Sequence, residues 1–154
     1  VAEVEAGTGL GDVVAQSRGG VPIRLEPGAP EYNRLDGVPA RTRVEYCSLG
    51  ELSTAEVLAG NTDRLSRAGV DALVDLVNEP TLDTFVRRSR EFAADADLLT
   101  DDVREVVEDV EAEGGQASMA MLGETVFALG TGLTDAGYDA EACETDPAGA
   151  MQMK

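Results

Sequence analysis

The sequence predicts an α+β fold, on three observations. Two short stretches alternate in the manner of strands, several longer ones repeat their apolar residues every three or four positions, and glycine or proline separates them. Hydrophobic residues make up 43% of the 154, enough to bury the core of one ordinary domain or of two very small ones.

The elements follow in order. Gly7 to Gly20 opens as a glycine-rich turn and runs on into an apolar helical stretch, Val13-Val14-Ala15. Gly20-Val21-Pro22-Ile23-Arg24-Leu25 reads as a strand, and Pro22, which has no N–H for a ladder, places it at an edge or a strand start. Pro27-Gly28 and Pro30 form a turn region. Arg43-Val44-Glu45-Tyr46-Cys47-Ser48-Leu49 alternates and reads as a second strand. Ser53-Thr54-Ala55-Glu56 fits a capping box, with Ser53 as N-cap and Glu56 reaching back to it. Leu65, Val70, Leu73, Val74 and Val77 mark a helix that Pro80 stops. Leu82, Phe85, Val86, Phe92 and Ala93 mark another. Val103, Val106, Val107 and Val110 mark a third, with Thr100 as N-cap and Gly114-Gly115 as its end. Met119 to Leu129 reads as a fourth helix, and Ala142 to Met153 as a short hairpin turning at Pro147-Ala148-Gly149.

The formal net charge is -18, from 30 acidic and 12 basic residues, and the one lysine is Lys154. The acids are dispersed among valine, leucine and alanine at helical spacing, so the chain reads as folded rather than as an acidic tail. Such a surface suits a salt-loaded cytoplasm, where ions screen its self-repulsion. It argues against nucleic acid as a partner, since phosphate binding needs lysine and arginine patches. No apolar run approaches the roughly 18 residues of a membrane span, and no signal peptide is visible, which predicts a cytoplasmic protein. The chain contains no histidine, so histidine-based triads, general bases and metal ligands are excluded. Cys47 and Cys143 match no metal spacing and read as free buried thiols.

The most specific feature is Gly7-Thr8-Gly9-Leu10-Gly11-Asp12, followed by Gly19-Gly20. Closely spaced glycines let a backbone turn tightly and approach a ligand. An aspartate that ends such a turn and starts a helix lies near free N–H groups, which favour its ionised form. Held beside a substrate hydroxyl, it could act as the base of a phosphoryl transfer. The plainer reading is an ordinary aspartate N-cap after a glycine-rich loop. No Lys-Ser/Thr follows, so this is not a Walker A loop, and no strand precedes it in this chain, so it is not a dinucleotide fingerprint. A second small-residue segment, Gly114-Gly115-Gln116-Ala117-Ser118-Met119-Ala120-Met121-Leu122-Gly123, leads into the expected fourth helix, whose first N–H groups could meet an anion. Gln116 and Ser118 are its candidate polar groups; Met119 and Met121 fit equally well as core filler.

The run from Gly7 to Gln16, with Gly19-Gly20, resembles the region around the catalytic aspartate of the GHMP kinase superfamily. Together with the segment Ser118 to Gly123 it is similar to the archaeal pantoate kinase pattern over nearly the whole chain. The resemblance implies an ATP- and Mg²⁺-dependent transfer of the γ-phosphate to pantoate in coenzyme A biosynthesis. It implies Asp12 as catalytic residue, Gly7, Thr8, Gly9, Gly11, Gln116 and Ser118 as substrate and phosphate loops, and Glu3 as the metal ligand, with Glu5 its rival; a solvated helix acid is the plainer reading of both. It implies that residues 1–42 are the end of a GHMP N-terminal domain and that 43–154 are a C-terminal domain of helices packed on a small antiparallel sheet. The chain departs from the pattern in two ways. Met119 and Met121 stand where many members have small residues, and nothing resembling the Gly/Ser-rich ATP loop precedes Gly7. The chain, which begins without methionine, therefore reads as the C-terminal portion of the enzyme, inactive alone. Another GHMP small-molecule kinase, a truncated paralogue serving as an interaction module, and an acidic binding domain with a chance glycine pattern remain alternatives, and a homodimer remains open.

With 30 acids against 12 bases, the folded state is expected to gain stability as KCl rises from low to molar concentration. A thermal melt across that range checks this; a melting temperature that stays flat or falls refutes it.

Overall fold

A computed structural model describes residues 11–26, 34–50, 62–120 and 123–149, and of residues 12 and 62 the backbone alone. The chain divides into two compact units, Val1–Arg41 with Glu144–Lys154, and Thr42–Cys143.

The first unit holds helix α1 (Gly11–Arg18) and a two-stranded antiparallel ribbon, β1 (Val21–Arg24) with β2 (Leu35–Val38). The register pairs Val21 with Val38 and Arg24 with Leu35, and the Leu25 N–H donates to the Arg34 carbonyl at 3.0 Å to prolong it. Both strands of such a ribbon are edges, where Pro22 costs little. Val14 of α1 and Ile23 of β1 are buried. The strand β2 carries Asp36 and Gly37, both poor strand formers, which is why the sequence predicts no strand there; the expected turn at Pro27-Gly28 and Pro30 lies outside the described residues.

The second unit is a four-stranded sheet with helices. The strands are β3 (Arg43–Gly50), β4 (Ala117–Ala120), β5 (Glu124–Leu129) and β6 (Glu141–Glu144), in the order β4-β5-β3-β6. The pairs β3/β5 and β4/β5 are antiparallel; Cys47 stands opposite Val126 and Ser118 opposite Phe127, and the β3/β5 register shifts between Ser48 and Gly50. The helices are α2 (Thr62–Asn78), α3 (Leu82–Asp95), α4 (Asp101–Ala112) and the single turn α5 (Gly132–Asp135).

The core has one origin in the sequence. Val103, Val106, Val107 and Val110 recur along one stripe of α4 and are all buried, against Ala117, Met119, Val126, Ala128 and Leu133. Thr100 caps α4, its hydroxyl accepting from the Val103 N–H at 3.4 Å. Gly114, at φ 81°, ends it. Gly115 then passes so close to the helix that a Cβ there would lie 2.7 Å from Val110 Cγ1, so no larger residue lets the chain turn directly into β4. The helix α3 packs on β4 and α2 on α3. Thr81, just after Pro80, caps α3 by accepting from the Thr84 N–H at 3.1 Å. Arg88 joins α3 to α2 by pairing with Asp75, and also meets Glu91.

The mixture of helices with antiparallel sheet is as expected, as are the three helices around residues 65–77, 82–93 and 103–110 and the two strands near 20–25 and 43–49. The expected capping box at 53–56 lies outside the described residues. One expectation is corrected. Residues 119–120 and 124–129 are not helical. They belong to β4 and β5, where Val126 and Ala128 are buried and their neighbours less so, a period of two that the run of apolar residues concealed. Of the expected hairpin over 142–153, the second arm from residue 150 on lies outside the described residues; residues 141–144 join β3 as β6, and the turn at Pro147-Ala148 does form, the Ala148 N–H donating to Asp146 Oδ1 at 2.9 Å. Among the described residues no helix is long and apolar enough to cross a membrane.

The sheet and α4 predict where truncation is costly. Leu133→Ala, at a wholly buried site, should cost about 2–5 kcal/mol in chemical denaturation. Val74→Ala, at a residue 55% exposed on α2, should stay within about 0.5 kcal/mol.

Candidate active site

Asp12 is the second residue of α1 and Gly11 the first, so the aspartate stands in the first helical turn. The other residues expected at this loop, Gly7, Thr8 and Gly9, lie outside the described residues, as do Glu3 and Glu5.

The second expected segment has a different local structure from the one anticipated. Ser118 lies in the strand β4, so among the described residues that follow it, in β4 and β5, no helix N-terminus is formed. Strand alternation puts Gln116 and Ser118 on the face opposite Ala117 and Met119, which belong to the α4 core. Met119 is therefore core filler, 4% exposed. Ser118 is wholly buried, and both its Oγ and Gln116 Oε1 are buried without a hydrogen-bond partner among the described residues. Buried polar atoms are rarely left so. The structure thus places two unsatisfied polar groups on the segment singled out for ligand contact.

No group of three or more cysteine, aspartate or glutamate side chains among the described residues could hold a metal ion. Both thiols are free. Cys47 packs against the core, and burial pushes its pKa up; Cys143, on the outer strand β6, is exposed rather than buried as expected.

Sequence reasoning passed over Glu45. This glutamate sits in β3 on the face of Cys47 and is wholly buried. Its carboxylate accepts from Arg43 Nη2 at 2.9 Å, from the Thr134 N–H at 3.0 Å and from Thr134 Oγ1 at 2.9 Å. It thereby latches α5 onto the sheet. Arg43-x-Glu45 on one strand face was the available signal, an ion pair two residues apart. Tyr138, just after α5, donates to Asp109 of α4 at 2.6 Å, and that bond pushes its phenol up to about 12. A groove of about 400 Å³ runs between α2, α3 and the sheet; the three phenylalanines, Phe85, Phe92 and Phe127, line it.

No family model matches the chain. A solved structure described as a phosphotransferase related to the CoA biosynthesis pathway is similar, with a TM-score of 0.78 and 28% identity, covering 94% of this chain and 51% of that one. The architecture is therefore that found in a phosphotransferase. Three curated relatives are named pantoate kinase. That of Methanocaldococcus jannaschii is 34% identical over 131 residues, 84% of this chain and 48% of the relative. That of Thermococcus kodakarensis is 35% identical over 131 residues, 83% and 44%. That of Methanospirillum hungatei is 32% identical over 128 residues, 83% and 43%. The chain is homologous to the pantoate kinases and spans about half the length of the curated relatives it matches.

The Glu45 latch has a pH signature. Burial alone raises the carboxyl, but the hydrogen bonds from Thr134 and Arg43 outweigh it, and the net pKa is lowered. A lowered folded-state pKa stabilises the protein above the unfolded value, near 4.3, and that contribution is lost as pH falls through the folded value. The stability difference between the parent and Glu45→Gln should therefore be largest near neutrality and shrink on acidification. Urea midpoints from neutral to acid pH measure it; a difference independent of pH refutes the latch.

Proposed function

We propose that this chain is part of an ATP-dependent kinase that transfers the γ-phosphate to the primary hydroxyl of pantoate, giving 4-phosphopantoate for coenzyme A biosynthesis. The observation that carries the reading is the identity of 32–35% to three pantoate kinases over 83–84% of the chain. Phosphoryl transfer asks little covalent chemistry of a protein; positioning and charge supply most of the rate.

Asp12, in the first turn of α1, accepts or orients the proton of the pantoate hydroxyl. Its ionised form is favoured by the helix N-terminus, and the loop Gly7-Thr8-Gly9 with Gly11 lets substrate and phosphate come close. Gln116 and Ser118 contact the bound ligand. Their unsatisfied atoms support this, since among the described residues Gln116 Oε1 has no donor and a ligand hydroxyl supplies one, while the Ser118 hydroxyl can donate to an anionic oxygen. Mg²⁺ would serve to neutralise the phosphates, but the described residues hold no ligand set that fits it. Its assignment to Glu3 rests on resemblance, and no step is routed through it. Residues 1–42 belong to one domain and 43–154 to a second. A division between Arg41 and Thr42 supports that boundary, although Glu144–Lys154 cluster with the first unit. The acidic composition supports a salt-rich cytoplasm.

Asp12→Asn in the full-length gene product keeps size and capping ability, so stability should change little. Loss of the base should lower kcat about 10²–10⁴-fold. KM should change far less, because the interaction strengthens toward the transition state. Steady-state kinetics of pantoate phosphorylation check this; a fall in kcat under about threefold returns Asp12 to a capping role.

A further inference from the structure

We propose that the C-terminal turn Thr145–Gly149 is the positioning device for the helix that presents Asp12, an inference that rests on the kinase reading above.

The helix α1 has eight residues, from Gly11 to Arg18. Helices shorter than about 12–15 residues are marginal by themselves, so its orientation must come from contacts. At its C-terminal end the contacts come from the far end of the chain. The Gly19 N–H closes the last turn on the Ala15 carbonyl at 3.0 Å. The next N–H, that of Gly20, donates to the Asp146 carbonyl at 2.8 Å, and the Gly149 N–H donates to the same oxygen at 3.3 Å.

The approach is closer than side chains would allow. A Cβ on Gly19 would lie 2.2 Å from the Gly149 nitrogen and 2.4 Å from the Asp146 carbonyl oxygen. A Cβ on Gly149 would lie 2.9 Å from the Ser17 carbonyl oxygen and 3.0 Å from that of Gln16, two of the carbonyls that end α1. Both glycines have φ 68°. Two glycines remote in sequence thus meet backbone to backbone, which only residues without a Cβ permit.

The turn is itself held. Asp146 Oδ1 accepts from the Ala148 N–H at 2.9 Å and lies 3.8 Å from Arg41 Nη2. Thr145 Oγ1 donates to the Ala40 carbonyl at 2.7 Å. The turn is therefore pinned to the chain just after β2 and presses on the end of α1. At 1.5 Å rise per residue, the opposite end, with Gly11 and Asp12, is roughly 10 Å away. A tilt at the clamped end moves the aspartate by a comparable fraction of that length, and catalysis loses up to about 10²-fold for a misplacement of 1 Å. Asp146 and Gly149 are positioning residues; they touch no reacting atom.

The test uses the full-length gene product. Gly149→Ala is compared with Gly137→Ala, whose φ is 89° but whose Cβ meets nothing within 4 Å, so it adds backbone strain without the clash. Asp146→Ala opens the turn without adding atoms and serves if Gly149→Ala does not fold. Amide hydrogen exchange over residues 12–18 is read beside kcat and KM. Gly149→Ala and Asp146→Ala should speed exchange across α1 and lower kcat about tenfold, with KM within about twofold. Gly137→Ala should leave α1 exchange and kcat as in the parent. Unchanged α1 exchange in both turn variants overturns the proposal. So does faster exchange with unchanged kcat while Asp12→Asn still abolishes turnover. If Asp12→Asn itself retains turnover, the kinase assignment of Asp12 fails instead, and α1 exchange alone decides whether the turn holds the helix.

Discussion

Burial of the valine stripe of α4 is the constraint on which the second unit depends. Val103, Val106, Val107 and Val110 must leave water together, and they can do so only against a surface of matching size. The small residues Ala117 and Ala128, with Val126, make that surface flat enough for the helix to lie close. Once α4 is seated, Gly115 brings the chain directly into β4, and Leu133 of α5 fills the end of the cluster. Glu45 is then covered, and its carboxylate needs the partners that Arg43 and Thr134 supply, because a buried charge without them is strongly unfavourable.

Charge acts differently. Acids outnumber bases thirty to twelve, so most carboxylates have no cation available. Three arginines bridge elements: Arg88 to Asp75 of α2, Arg90 to Glu111 of α4, Arg64 to Asp97 after α3. Exposed pairs of this kind contribute little individually, and their effect is to fix geometry rather than to stabilise. A small anion would be repelled by the remaining field at low ionic strength and admitted where salt screens it. Local donors at a helix N-terminus, where Asp12 also stands, work at short range and are less affected.

The candidate site was partly legible. Asp12 stood out because glycines in close succession before an acid and a helical run are a local signal. Ser118 and Gln116 stood out as polar groups among small residues, but the reason given, a helix N-terminus, does not hold. Their interest comes instead from burial without partners, which no local pattern reveals. Glu45 looked like one more acid of an alternating strand. Its burial depends on α5, almost ninety positions away in sequence.

The sequence by itself determined the elements whose signals are local. The three amphipathic helices, the Thr100 cap, the stops at Pro80 and Gly114, and the alternation of β3 all follow from periodicity and from residues that constrain their own backbone. Only the tertiary structure decided the rest. Residues 119–129 are apolar enough for either a helix or a hairpin; pairing with β3, which puts Val126 opposite Cys47, selects the hairpin. The strand β6 is charged and short and exists because β3 has an open edge. The meeting of Gly19 with Gly149 joins residues from opposite ends of the chain. Each of these outcomes is a non-local pairing whose energy is shared between distant segments, so neither segment alone carries it.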